Sequence, residues 1–85
     1  QTLTRTFNNC AFTATGTAEK SAIMVNPTAN AGAVNTYVVN INNCTATGYA
    51  ENGIDGQTIV GIKETVKDNI TVNIDGTEVY SHTAG

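Results

Sequence analysis

Two stretches decide how this chain folds: Asn8-Asn9-Cys10-Ala11-Phe12-Thr13-Ala14-Thr15-Gly16-Thr17-Ala18-Glu19 and Asn42-Asn43-Cys44-Thr45-Ala46-Thr47-Gly48-Tyr49-Ala50-Glu51. Both run Asn-Asn-Cys and then Thr-Ala-Thr-Gly-x-Ala-Glu, with two residues dropped from the second copy. A second match joins Tyr37-Val38-Val39-Asn40-Ile41 to Ile70-Thr71-Val72-Asn73-Ile74 at almost the same offset. Self-similarity of this extent in 85 residues reads as a tandem duplication, residues 8–41 and 42–74. The whole chain, 1–85, is expected to form a single β domain.

Each copy alternates apolar and polar residues with period two on either side of a short turn signal, which is the pattern of half-buried strands. Three hairpins can be written: Thr2–Phe7 with Cys10–Thr17 across Asn8-Asn9, Thr36–Ile41 with Cys44–Tyr49 across Asn42-Asn43, and Asn69–Ile74 with Thr77–His82 across Asp75-Gly76. Two-residue hairpin loops need left-handed dihedrals, which Asn, Asp and Gly tolerate best. The turns fix the register. Phe7 falls opposite Cys10, Arg5 opposite Phe12 and Leu3 opposite Ala14. Ile41 falls opposite Cys44, Val39 opposite Ala46 and Tyr37 opposite Gly48. In the third hairpin Ile74 meets Thr77, Val72 meets Val79 and Ile70 meets Ser81. A further strand is expected at Ala22–Val25 and another at Thr58–Lys63, with at most one helical turn at Lys63–Asp68. Seven or eight short strands predict an all-β fold, a small antiparallel β-sandwich of immunoglobulin-like or jelly-roll-like kind.

Both cysteines follow an Asn-Asn turn on the more apolar face, so hairpins packed face to face would make Cys10 and Cys44 partners. A bridge across about 35 residues adds roughly 3–4 kcal/mol in the loop-entropy model. A domain this small has little core, and such a staple would be a large share of its stability. No Cys-x-x-Cys spacing is present, and one distant histidine, His82, leaves zinc short of ligands. The Cys10-Ala11-Phe12 segment and Tyr37-Val38-Val39-Asn40-Ile41-Asn42-Asn43-Cys44 are similar to the paired cysteine strands of chaperone–usher pilus subunits, over fewer than half the residues. Those subunits are much longer, and the stretch that would match their C-terminal half is missing here.

Charge excludes several function classes. Four Lys/Arg against seven Asp/Glu give a net charge of −3, and only 13% of residues are charged. Arg5, Lys20, Lys63 and Lys67 are scattered and form no patch able to neutralise phosphates, so nucleic acid is not an expected partner. No apolar run is long enough for a membrane-spanning helix, and membrane insertion is not expected. The low charge and Thr/Asn-rich composition suggest an extracellular protein or one exposed on a cell or virion surface.

Nothing points to catalysis. His82 lacks a positioned nucleophile, and the carboxylates Glu19, Glu51, Asp55, Glu64, Asp68, Asp75 and Glu78 are dispersed without forming an acid–base pair. No cofactor is expected. The Glu51–Gly56 loop could offer calcium oxygens but lacks the spaced acidic ladder of an EF-hand, and turn chemistry explains it. Asn43-Cys44-Thr45 and Asn69-Ile70-Thr71 match the N-glycosylation pattern.

What remains is assembly or recognition. The terminal strands carrying Leu3, Arg5, Phe7, Val79 and Tyr80 could pair with a neighbouring copy by strand addition. The expected function is a non-enzymatic structural subunit of a surface filament, pilus-like appendage or virion, with copies of itself as partners. Two alternatives come from the surface. Loops Asn26–Gly32 and Glu51–Gly56 could make a small immunoglobulin-like or carbohydrate-binding module. Thr2, Thr4, Thr6, Thr13 and Thr15 could form a hydroxyl-bearing face of the kind that binds ice, although strand propensity alone also explains threonines there.

Overall fold

A computed structural model describes residues 1–15, 21–25, 32–49, 59–62 and 67–85. Eight strands follow in chain order: β1 (Thr2–Asn8), β2 (Ala11–Thr13), β3 (Ile23–Val25), β4 (Thr36–Asn42), β5 (Thr45–Thr47), β6 (Val60–Ile62), β7 (Asn69–Ile74) and β8 (Thr77–His82). The fold is all-β, and the described residues contain no helix. The Glu51–Gly56 loop, nearly all of the Asn26–Gly32 loop and most of the Lys63–Asp68 turn lie outside the described residues.

The pairing differs from the antiparallel sandwich expected above. Strand β1 lies parallel to β4 with Thr2 beside Thr36 and Asn8 beside Asn42. Strand β2 lies parallel to β5 with Ala11 beside Thr45, and β3 lies parallel to β6 with Ile23 beside Val60. Strand β4 lies parallel to β7 with Thr36 beside Asn69. The result is one four-stranded sheet in the order β1-β4-β7-β8 and two two-stranded sheets, β2-β5 and β3-β6. The chain therefore coils. It visits three sheets in turn and returns one strand further along each, which is a parallel β-solenoid.

The turn residues explain why the first two expected hairpins do not form. A two-residue hairpin of the primed type needs positive φ at both loop positions. Asn9 has φ 56° and Asn43 has φ 54°, but Asn8 and Asn42 remain in their strands. One left-handed residue bends the chain through a corner into the next sheet. Two reverse it: Asp75 at φ 50° and Gly76 at φ 80° turn β7 back into β8. That third hairpin forms, with Ile74 beside Thr77, and an irregularity between Val72 and Asn73 then moves Val72 opposite Tyr80 and Ile70 opposite His82. Val79 is the extra residue at this bulge.

Alternation along the strands places the core inside the coil. Val25, Val39, Ile41, Ile59, Val60, Ile70 and Val72 are buried, and Phe7, Tyr37, Ile74, Val79 and Tyr80 pack against them. Each fully buried aliphatic side chain contributes about 2 kcal/mol by area. Phe7 and Phe12, on successive strands, meet edge to face with centroids 6.2 Å apart. Outward positions carry Thr and Asn, whose side chains bond from turn to turn: Asn42 Nδ2 to Asn8 Oδ1 at 2.9 Å, Asn43 Nδ2 to Asn9 Oδ1 at 2.7 Å, Asn73 Nδ2 to Asn40 Oδ1 at 2.9 Å and Asn69 Nδ2 to Thr36 Oγ1 at 3.2 Å. In each, the later turn donates to the earlier.

Candidate functional site

The four-stranded sheet has two edges, β1 and β8. These are the strands that carry Leu3, Arg5 and Phe7 on one side and Val79 and Tyr80 on the other. Which backbone groups each edge presents follows from the bonds that each strand makes inward. The Thr36 N–H donates to the Gln1 carbonyl and the Asn9 N–H to the Asn42 carbonyl, both at 2.9 Å. Odd-numbered β1 residues therefore aim their backbone at β4. Thr2, Thr4, Thr6 and Asn8 aim theirs at the open edge.

The same alternation works at the other side. Asn69 N–H donates to Asn35 carbonyl and Asp75 N–H to Ile41 carbonyl, so Ile70, Val72 and Ile74 face β8. Their partners His82, Tyr80 and Thr77 face back, which leaves Glu78 and Ser81 presenting backbone to the open edge.

Arg5 is anomalous on β1. It shares the inward register with Leu3 and Phe7 and lies beside Val39, an apolar column, yet it is exposed. Its Nη1 donates to the Thr4 carbonyl at 3.0 Å, one of the edge-facing acceptors. An inward-register charge on an edge strand discourages indiscriminate pairing.

The β8 edge is tied down by different groups. His82 Nδ1 lies 2.9 Å from the Asp68 carbonyl oxygen, and the Ala84 N–H donates to Asn69 Oδ1 at 2.7 Å. Asp68 is buried and accepts from the Asn35 N–H at 2.9 Å and from Lys67 Nζ at 2.8 Å. The Lys67 hydrogen bond, then the Asn35 N–H, hold its carboxyl below the ordinary 3.8 despite burial. Lys67 Nζ also reaches the Ala33 carbonyl at 3.2 Å, joining this turn of the coil to the one before.

The cysteines stand one turn apart at the same corner, since Ala11 and Thr45, the next residues, are paired. They come within 4.3 Å of each other as free thiols. The Cys10 N–H donates to Cys44 Sγ at 3.4 Å, and Cys44 Sγ lies 3.5 Å from the Phe7 carbonyl. Desolvation, then the neighbouring Cys44, push the Cys10 thiol above its ordinary 9.0.

The threonines are divided. Thr2, Thr4 and Thr6 lie outward on β1, whereas Thr13 lies on β2 with Thr15 beyond it. Strands β1 and β2 belong to different sheets, so the five do not share one hairpin face. The two glycosylation-pattern asparagines spend their amides on Asn9 and Thr36. Among the described residues no three His, Cys, Asp or Glu side chains converge to hold a metal, and no helix is long and apolar enough to cross a membrane.

The sequence reading missed the asparagine ladders and the Ser81 edge position. The signal for the ladders was present, because Asn8 and Asn9 recur as Asn42 and Asn43, and Asn40 recurs as Asn73. Ser81 could not be found without the bulge. Comparison with known proteins finds no matching family model, no matching curated protein and no matching solved structure.

Proposed function

We propose that this chain is a non-enzymatic structural module of an extracellular or surface assembly that joins copies of itself through strand edges. The observation that carries the reading is the pair of edges, β1 and β8, at opposite sides of one sheet, on which no further strand lies among the described residues. Edge strands are templates for added strands, and two different edges on one subunit build open-ended assemblies rather than closed rings unless rotation closes them. The outward Thr and Asn columns support it further, since a polar, low-charge face remains soluble along a growing assembly.

The cysteine pair fits the same role. Neighbouring parallel strands are about 4.8 Å apart, within the usual Cα spacing of a disulfide. Oxidation would stitch the first two turns of the coil at their corner. Desolvation and the neighbouring Cys44 raise the Cys10 thiol, and a lasting disulfide at this corner belongs to an oxidising compartment.

Sedimentation velocity on the purified chain tests the assembly reading. Fast-sedimenting material that grows with concentration, seen as elongated particles by negative-stain microscopy, is expected. A single slow species at every concentration would refute it.

A further inference from the structure

Building on that reading, we infer that the assembly is polar: the β8 edge of one copy docks antiparallel on the β1 edge of the next, and Arg5 forbids β1 from pairing with another β1. Arg5 is the central residue of β1, Thr2–Asn8. A two-fold β1 pair that uses all seven residues sets Arg5 directly opposite its own copy, in the non-hydrogen-bonded position. Side chains there are closest, with Cα atoms about 4.5 Å apart, and like charges repel. Sliding by one pleat separates the guanidinium groups but forfeits backbone bonds at the ends.

The β8 edge has no such conflict. The columns across the sheet run Thr4, Val38, Thr71, Ser81 and Arg5, Val39, Val72, Tyr80. Continuing them into a second copy places Ser81 opposite Thr4. Both residues aim their backbone groups at their open edges, so the pair can exchange two backbone bonds, the Thr4 carbonyl giving up its bond from Arg5 Nη1 as that side chain turns to the partner. Tyr80 then falls opposite Arg5, whose guanidinium gains the aromatic ring face. Thr6 falls opposite Glu78, whose carboxylate can accept from the hydroxyl.

Charge favours the same polarity. Residues 1–15 hold Arg5 and no Asp or Glu, whereas residues 69–85 hold Asp75 and Glu78 and no Lys or Arg. Opposite ends attract and identical ends repel, which selects partners by exclusion as well as by contact.

Two end-blocked variants read the polarity. Thr4→Pro removes an edge-facing N–H from β1, and Ser81→Pro removes one from β8, neither touching a bond inside the sheet. Each variant alone is expected to stay at 8.8 kDa, and an equimolar mixture is expected to double its mass and stop. That gain on mixing also shows both variants are folded. In the Ser81→Pro background, adding Arg5→Thr is expected to permit β1–β1 dimers. Dimers of Ser81→Pro alone, or a mixture that stays at 8.8 kDa while the wild type grows, would overturn the polarity and leave edge assembly standing. A wild type that does not grow overturns both.

Discussion

The Asn43 carboxamide donates to the Asn9 side-chain oxygen at 2.7 Å, across 34 residues of chain. Both residues occupy left-handed backbone, at φ 54° and 56°, and both mark the same corner of successive turns. Asp75 continues the column, accepting from the Asn43 N–H at 2.7 Å. Every later turn of the coil is thus registered on the earlier one by a corner side chain as well as by strand pairing.

Asn43→Ala removes that amide and places a residue with no local hydrogen bond in the left-handed region. A loss of about 2 kcal/mol is expected from the bond and the backbone together. Asn43→Gly keeps the backbone and should recover about half. Thermal unfolding measures it, at roughly 4–8 °C per kcal/mol for a chain this size. Equal stability of both variants and wild type would show that the column contributes nothing.

Gly48 has φ 87°, and a Cβ there would overlap the Ala14 carbonyl of the preceding turn. Gly48→Ala therefore meets both backbone strain and a steric overlap with main chain, which has no flexible end to yield. It is expected to cost more than about 3 kcal/mol, at the diagnostic end of single substitutions, and to lose cooperative unfolding in urea. A variant with an unchanged urea midpoint would mean that these two turns do not stack as described.

The strand positions were legible in the sequence, and their pairing was not. Period-two alternation locates β1, β4, β7 and β8 within a residue or so, because each has one face in the core. The same alternation serves a hairpin and a coil equally, so it cannot choose between antiparallel neighbours and parallel ones about one coil turn away, such as Thr2 beside Thr36 and Thr36 beside Asn69. What chooses is the number of left-handed residues at each turn. Asp75-Gly76 supplies two and reverses the chain, whereas Asn8-Asn9 and Asn42-Asn43 each supply one. The duplicated Asn-Asn-Cys segment carried the better clue, since equal residues at equal intervals stack in a coil. Cys10 and Cys44 are free thiols 4.3 Å apart, neighbours along the stack rather than partners across two packed hairpins. Arg5 stands in the inward register beside Val39 yet exposed, a placement that depends on strand pairing the sequence pattern does not supply.

Oxidation of Cys10 and Cys44 is expected to raise stability by roughly 3–4 kcal/mol, the loop-entropy value for a crosslink across one turn of the coil. The raised Cys10 pKa makes thiolate scarce at neutral pH, so crosslinking by oxidised glutathione should accelerate as pH rises. Mass spectrometry of the oxidised chain gives the pairing, and urea unfolding with and without reductant gives the gain. Intermolecular bridges only, or no gain, would count against the stacked-corner geometry.

Asp68 makes stability depend on acid. Its folded pKa lies below the ordinary 3.8 because of Lys67 and the Asn35 N–H, so the unfolded chain binds its proton more readily. The contribution is complete above that ordinary value and fades as pH falls through the folded pKa. Asp68→Asn is expected to be less stable than wild type at neutral pH and to close the gap as pH falls below 3.8. Parallel stability curves for the two proteins across that range would show that another group carries the acid dependence.

Assembly through the two edges of the four-stranded sheet is tested most directly by light scattering on the 85-residue chain over a concentration series, beside Thr4→Pro. Wild-type mass should climb well past 8.8 kDa with concentration while the variant stays there with the same circular-dichroism spectrum. A wild type fixed at 8.8 kDa throughout, or a Thr4→Pro chain that grows as fast, would contradict it.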